Sequence, residues 1–231
     1  RLHEAALSAE RLAAVGETVS GTAHYMKNLL TGLMAGAELV DMGLETDDED
    51  CIQTGWAPIR RNLDILSDLV LNMLDFGRAR QPQVQAVAAE ELLGDLEMLV
   101  THRAAGRNID LVKHIEEEMQ PVRADPVGLH RALLNLITNA LDAVPDDSPG
   151  TVTLGARTLD DRIAIEISDT GSGIPEDVLP HIFDIFCTTK GSRGTGFGLA
   201  VTRKIVEEHG GSIEVDTALG EGTTFRILLP R

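Results

Sequence analysis

Apolar residues near the start of the chain recur at alternating spacings of three and four: Leu12, Val15, Val19, Thr22, Met26, Leu29, Leu33, Gly36 and Val40. That rhythm is a heptad seam on a helix. An acidic break at Asp47, Asp48, Glu49 and Asp50 separates it from a second series, Ile59, Leu63, Leu66, Val70 and Met73. Two antiparallel helices joined by a turn are therefore expected. A lone helical hairpin leaves apolar surface uncovered, and pairing with a second copy into a dimeric four-helix bundle completes its core. A homodimer is the expectation; a hairpin docked on the rest of its own chain is the alternative.

The helical pattern stops after Gly77, and Gln81, Pro82 and Gln83 form a polar joint. Residues 1–80 are accordingly assigned to a helical domain and 81–231 to a second domain. In the latter, alternating segments around Ile109 and Leu111, Val152 and Leu154, Ile163 to Ile167, and Phe225 to Leu229 read as strands. Helical patterns lie between them at Glu90 to His102, Pro126 to Val144 and Gly198 to His209, with Asp125 and Pro126 as cap and first turn of the middle one. The class predicted is α+β: a helical hairpin followed by a two-layer α/β sandwich with helices on one face of the sheet.

Composition narrows what such a chain does. Aromatic residues are only 3% of the total, which favours a Leu, Ile, Val and Ala interior. A formal charge of -17 argues against nucleic acid as a partner, because phosphate neutralisation needs clustered Lys and Arg. Cys51 and Cys187 are far apart and support neither a disulfide framework nor a cysteine zinc site, so a cytoplasmic location is expected. No run approaches the roughly 20 apolar residues of a membrane span, so no membrane contact is expected from this stretch. Opening at Arg1 and entering helical sequence within a few residues, the chain reads as part of a longer protein with a sensor upstream.

Candidate chemistry sits on three segments. On HRALLNLITNALDAV, the polar residues Asn135, Asn139 and Asp142 recur at i, i+4 and i+7 and share one helix face. Asn is a poor interior helix residue, so two of them beside an apolar stripe call for a reason. Next, DTGSGIP from Asp169 to Pro175 follows a strand; a carboxylate there can accept from an exocyclic amine while glycines admit a flat ring. In IFDIFCTTKGSRGTGFGL, the glycines from Gly191 to Gly198 open a helix, and free N–H groups at such a start suit phosphate, with Lys190 and Arg193 adding positive charge. The glycine spacing is neither the Walker A nor the dinucleotide pattern.

The order of these segments resembles the N, G1, F and G2 boxes of the gyrase, Hsp90, histidine kinase and MutL ATP-binding superfamily, which implies a Bergerat-type fold. LAAVGETVSGTAHYMKNLLTGL, with His24 and Asn28 four apart, and LVLNMLDFGRAR resemble the dimerisation and phosphoacceptor helices of sensor histidine kinases of two-component systems. The resemblance implies ATP and Mg²⁺ as ligands, with Asn139 supplying an oxygen to the metal and Asp169 reading the adenine amine. Asn135 and Asp142 complete the helix face, and Gly171, Gly173 and Ile174 shape the base pocket. Thr188, Thr189, Lys190, Arg193, Gly194, Thr195, Gly196, Phe197, Gly198 and Leu199 form a lid over the triphosphate, while Thr223 supports the adenine. It further implies autophosphorylation of an outward-facing His24, transfer to an Asp of a response-regulator receiver domain, and a phosphatase role for Asn28.

Tyr25 departs from this pattern: the family commonly has Asp or Glu there to take the imidazole proton, and a phenol is a poor acceptor near neutral pH. Tyr25 favours one alternative, a degenerate ATP-binding scaffold; a hydrolytic ATPase clamp is the other reading the superfamily offers. Against the clamp, hydrolases of the superfamily have Glu where this chain has Asn135, and Asn cannot activate water.

Overall fold

A computed structural model of the chain describes residues 26–77, 82–117, 119–185, 187–188 and 196–231. Contacts divide it into two compact units, Arg1–Asp75 with Asp184–Phe197, and Phe76–Phe183 with Gly198–Arg231.

In the first unit, helix α1 (26–46) and helix α2 (Glu49–Gly77) run antiparallel. The acidic break is the turn between them. Asp47 takes a positive φ of 55°, the Asp48 carboxylate caps α2 by accepting from Cys51 N at 3.0 Å, and Glu49 and Asp50 lie at the positive end of the helix dipole. Glycine sets the distance between the helices. A Cβ on Gly36 would lie 2.8 Å from the Gly55 carbonyl oxygen and 2.8 Å from Ile59, and one on Gly55 would lie 2.6 Å from the Gly36 carbonyl oxygen. Farther along, Gly32 packs against the Asn62 carboxamide and Gly43 against Ile52.

The seam expected on α2 is only partly turned inward within a single chain. On α2 the buried positions are Gly55, Asn62, Ile65 and Leu69, whereas Leu63 and Val70 stay 53% and 46% exposed. On α2 a glycine and an amide, Gly55 and Asn62, make the close contact, and aliphatic periodicity does not register them.

The second unit is a sheet covered by helices. In chain order come β1 (Gln85–Val87), α3 (Ala89–Ala105), β2 (Ile109–Ile115), β3 (Val122–Ala124), α4 (Pro126–Ala143), β4 (Gly150–Leu159), β5 (Arg162–Asp169), a 3₁₀ turn (Leu179–His181), α5 (Gly198–Glu208), β6 (Ser212–Ala218) and β7 (Gly222–Pro230). The five-stranded sheet has the order β2-β4-β5-β7-β6, parallel only between β2 and β4; β1 and β3 form a separate antiparallel ribbon. One sheet face presents Val152, Leu154, Ile163, Ile165, Ile167, Phe225, Ile227 and Leu229 to Leu93, Leu96, Leu133, Leu136, Ile137 and Leu141 of α3 and α4. Each such fully buried side chain contributes about 1.5–3 kcal/mol. The other face carries Arg157, Glu166, Arg226 and Glu214 in ion pairs, so helices cover one side alone. This is the α+β sandwich expected, with β1, β3 and β6 added to the strands read from the sequence.

Candidate functional site

Helix α4 is the spine of the site. It starts where Asp125 accepts from Val127 N at 3.2 Å through Oδ1, with Pro126 at the first helical position. Leu129, Leu133, Leu136, Ile137 and Leu141 bury one face in the core. That orientation is what aims the adjoining polar stripe at α5. Asn135 donates through Nδ2 to the Gly198 carbonyl at 3.2 Å, and Thr202 donates to the same carbonyl at 2.9 Å and to that of Ala132 at 3.4 Å. Ala132, Val201 and Ile205 fill the space between the two helices. Asn139 lies one turn beyond Asn135, half-buried on the same face.

At the other end of α4 sits the DTGSGIP turn. Asp169, 5% exposed at the end of β5, accepts from Gly171 N at 2.8 Å, which folds the chain back over its own carboxylate. The turn then presses on the helix: a Cβ on Gly171 would lie 2.5 Å from the Ala143 carbonyl oxygen, and Ser172 N donates to that oxygen at 3.0 Å. The strand pair β6–β7 closes the other side. Ile174 N donates to Thr217 Oγ1 at 2.9 Å, and Thr217 shares a hydrogen bond of 3.0 Å with Thr223, the cross-strand neighbour of Asp169. Gly173, at φ +69°, abuts the Ala218 carbonyl, and Gly222, at φ +108°, abuts that of Asp169. Side chains have no room at either place.

From Asn135 to Ala143 is about 12 Å of helix. The helix thus joins a glycine-led helix start at one end to a buried carboxylate in a glycine turn at the other, with Asn139 between. Asp142 points elsewhere: its carboxylate is 2.5 Å from Arg103 and 3.5 Å from Arg107, so it ties α4 to α3 and the segment after it. Ile174, Phe183 and Leu199 are half-buried against the core, and the Arg203 guanidinium lies 5.4 Å from the Phe183 ring centroid. Thr188 is exposed, Gly196 has φ +67° and Phe197 is 2% exposed; all three belong to the segment grouped with the hairpin. Burial, aided by Asp184, pushes the Cys187 thiol up, so it stays protonated near neutral pH. Asn28 is exposed on α1. His24, Thr189, Lys190, Arg193, Gly194 and Thr195 lie outside the described residues.

Residues 124–231 match the family described as Histidine kinase-, DNA gyrase B-, and HSP90-like ATPase. The chain is 33% identical over 238 residues to sensor kinase CckA of Brucella abortus (strain 2308), covering 96% of this chain and 25% of that protein. It superposes on histidine kinase ThkA, solved in complex with the response regulator protein TrrA, with TM-score 0.80 and 26% identity, over 96% of this chain and 63% of that one. Full-length ShkA, solved in complex with AMPPNP, gives TM-score 0.68 and 27% identity over 93% of this chain and 45% of that one. Residues 124–231 are thus a domain of that ATPase family, and the chain is similar to sensor histidine kinases along most of its length.

The chain spans 25% to 49% of the length of the first curated relatives it matches. Among its described residues no helix is long and apolar enough to cross a membrane, and no group of three His, Cys, Asp or Glu could hold a metal ion. Three positions that shape this site escaped the sequence reading: Thr217, Gly222 and Arg107. Thr217 and Gly222 flank the hairpin turn of β6–β7, and the GTTF run after that turn was a signal available in the sequence. Arg107 has none, because its partners, two backbone carbonyls and the carboxylates of Asp142 and Asp146, lie 34 to 39 residues away.

Proposed function

We propose that this chain is the catalytic core of a sensor kinase that binds Mg-ATP along α4 and transfers its γ-phosphoryl group to His24. Asp169 and the Thr217–Thr223 pair, with Gly171, Gly173 and Ile174, receive the adenine. Gly198 and Leu199 at the start of α5 meet the phosphate end, under a lid supplied by Thr188, Thr189, Lys190, Arg193, Gly194, Thr195, Gly196 and Phe197. Asp142 serves through its arginine pairs, fixing the helix on which Asn135 and Asn139 stand.

The donor set fits Mg²⁺. Asn139, half-buried one turn beyond Asn135, would hold the ion through its side-chain oxygen, a hard neutral donor of the kind Mg²⁺ takes. Bound there, Mg²⁺ would offset charge on the transferring group. In the reaction the His24 Nε2 lone pair forms the N–P bond, the bond from phosphorus to the β–γ bridging oxygen breaks, and ADP departs. The imidazole Nδ1 proton goes to water or a carboxylate, since Tyr25 is a poor acceptor.

One observation carries the kinase reading over the hydrolase one. Where a water-activating carboxylate would stand, Asn135 is an amide whose N–H is directed to the Gly198 carbonyl, so the γ-phosphoryl awaits an external nucleophile. The phosphoryl group then passes to an Asp of a receiver domain, and Asn28 orients water for the reverse, phosphatase reaction. A homodimer through the hairpin, covering Leu30, Met34, Leu63 and Val70, which are exposed in the single chain, completes the unit. The core acts in the cytoplasm, with a sensor region outside the chain described. Hairpin 1–80 and domain 81–231 divide the work.

Incubation with γ-labelled ATP and Mg²⁺ tests this. Acid-labile, alkali-stable label is expected on the wild type and none on His24→Ala. A wild type that binds nucleotide but never gains label would reduce the chain to a binding scaffold, and phosphate release unaffected by His24→Ala would make it a hydrolase.

A further inference from the structure

Helices α4 and α5 pack antiparallel through matched rungs: Asn135 with Gly198, Ala132 with Thr202, Gly128 with Ile205, and Asp125 with His209. Steps of three and four on both helices put all the rungs on one face of each, and Asn139 continues the α4 face past the first rung. The last rung differs in kind. Asp125 N donates to His209 Nε2 at 2.8 Å, and His209 Nδ1 lies 2.6 Å from the Ile205 carbonyl. A ring that accepts at Nε2 must carry its proton on Nδ1 to satisfy that carbonyl, so the two bonds select one tautomer. The imidazole therefore bridges the cap residue of α4 and the last turn of α5.

Apolar contact between these helices, through Ala132, Val201 and Ile205 and through Val206 in the main core, is without direction. Such a contact tolerates a small slide of an 11-residue helix; hydrogen bonds at both ends do not. His209 stands about 16 Å of helix from Gly198, too far to touch anything bound there.

We propose that His209 is a positioning residue for the nucleotide site, holding α5 in the register that places Gly198 against Asn135 and beside Asn139. The assignment rests on the nucleotide reading of those three residues. Nucleotide affinity then depends on an acceptor at the Nε2 position of His209, and not on the size of the ring.

The test uses the full chain, wild type against His209→Phe, which keeps the ring and loses the acceptor, and His209→Gln, whose carbonyl restores one. Mg-ADP is titrated by calorimetry at a temperature where far-ultraviolet circular dichroism shows each protein folded. Loss of one hydrogen bond predicts binding about fivefold weaker in the Phe variant and recovery to within about twofold in the Gln variant. Amide exchange over residues 198–202 should quicken in the Phe variant and not in the Gln variant. Equal affinity of wild type and Phe variant, or a Gln variant as weak as the Phe one, overturns the proposal. A wild type that binds no Mg-ADP sinks the nucleotide reading instead, and unchanged exchange in the Phe variant then sinks the strap. Should the Phe variant not fold, His209→Met, a flexible side chain without the nitrogen acceptor, takes its place with the same two readings.

Discussion

Arg107 donates through Nη2 to the Val144 carbonyl at 2.8 Å, across 37 residues of chain, and through Nη1 to the Leu141 carbonyl at 2.7 Å. The last carbonyls of a helix have no partners of their own, and a cation there also favours the helix dipole. Nε reaches Asp146 at 2.7 Å, so one planar fork holds the end of α4 and the segment that leaves it. Ala143, between the two capped carbonyls, is the residue against which Gly171 and Ser172 rest. The α4 terminus and the Asp169 turn are thus secured together.

Replacing Arg107 with Met should lower the unfolding free energy by about 1–3 kcal/mol, the cost of leaving partly buried carbonyls without a donor. Lys, a point charge without the fork, should recover less than half of that. Urea denaturation followed by circular dichroism measures both. An Arg107→Met variant that unfolds at the wild-type midpoint would show the fork to be idle.

Gly222 should be as intolerant as any residue in the domain. Its φ of +108° is a conformation that side chains disfavour, and a Cβ would strike the Asp169 carbonyl. Gly222→Ala must therefore move either β7 or the strand end that presents the Asp169 carboxylate. A loss of more than about 2 kcal/mol is expected, with Mg-ADP binding weakened beyond detection in whatever remains folded. Gly220, also at positive φ (78°) but with nothing within 4 Å of where a Cβ would stand, is the control: Gly220→Ala should cost only the backbone strain of about 1 kcal/mol and leave nucleotide affinity unchanged.

What could be read from sequence follows from which forces leave a periodic trace. Helix α4 was legible because Asp125 and Pro126 announce its start and five aliphatic residues mark its buried face. Strands β4, β5 and β7 were legible because one face of each is apolar. β6 was not: in this edge strand Ile213 and Val215 are only half-buried and acids occupy the outward positions, so alternation is weak. β1 and β3, of three residues each, are too short to show a period. In the hairpin, Gly36 stood on the seam read for α1, but its contacts on α2, at Gly55 and farther along at Asn62, left no hydrophobic mark, and Leu63 and Val70 stay exposed within a single chain. The ordered motifs of the site were visible one by one, but the bonds that join them, from Asn135 to Gly198 and from Thr217 to Thr223, are tertiary and emerge only with the fold.

The open face of the sheet gives a pH-dependent expectation. Glu166 lies between Arg226, at 2.5 Å, and Arg157, at 3.0 Å, and Arg226 also reaches Glu214 at 3.1 Å. Burial by itself raises the Glu166 pKa, but the hydrogen bonds and charges of Arg226 and Arg157 outweigh it and hold the carboxyl below its ordinary 4.5; Glu166 in turn raises Arg226. A carboxyl whose folded pKa lies below its unfolded one contributes stability above the unfolded value and loses it as pH falls through the folded value. Wild type should therefore exceed Glu166→Gln in stability by about 1 kcal/mol at pH 7, a figure kept small because the cluster is partly exposed to solvent. The gap should begin to close as pH drops below about 4.5 and vanish in stronger acid, and it should shrink in high salt, which screens such pairs. Urea melts of both proteins at neutral and acid pH decide the matter: a gap that stays constant down the pH series would mean that Glu166 acts by packing, not by charge.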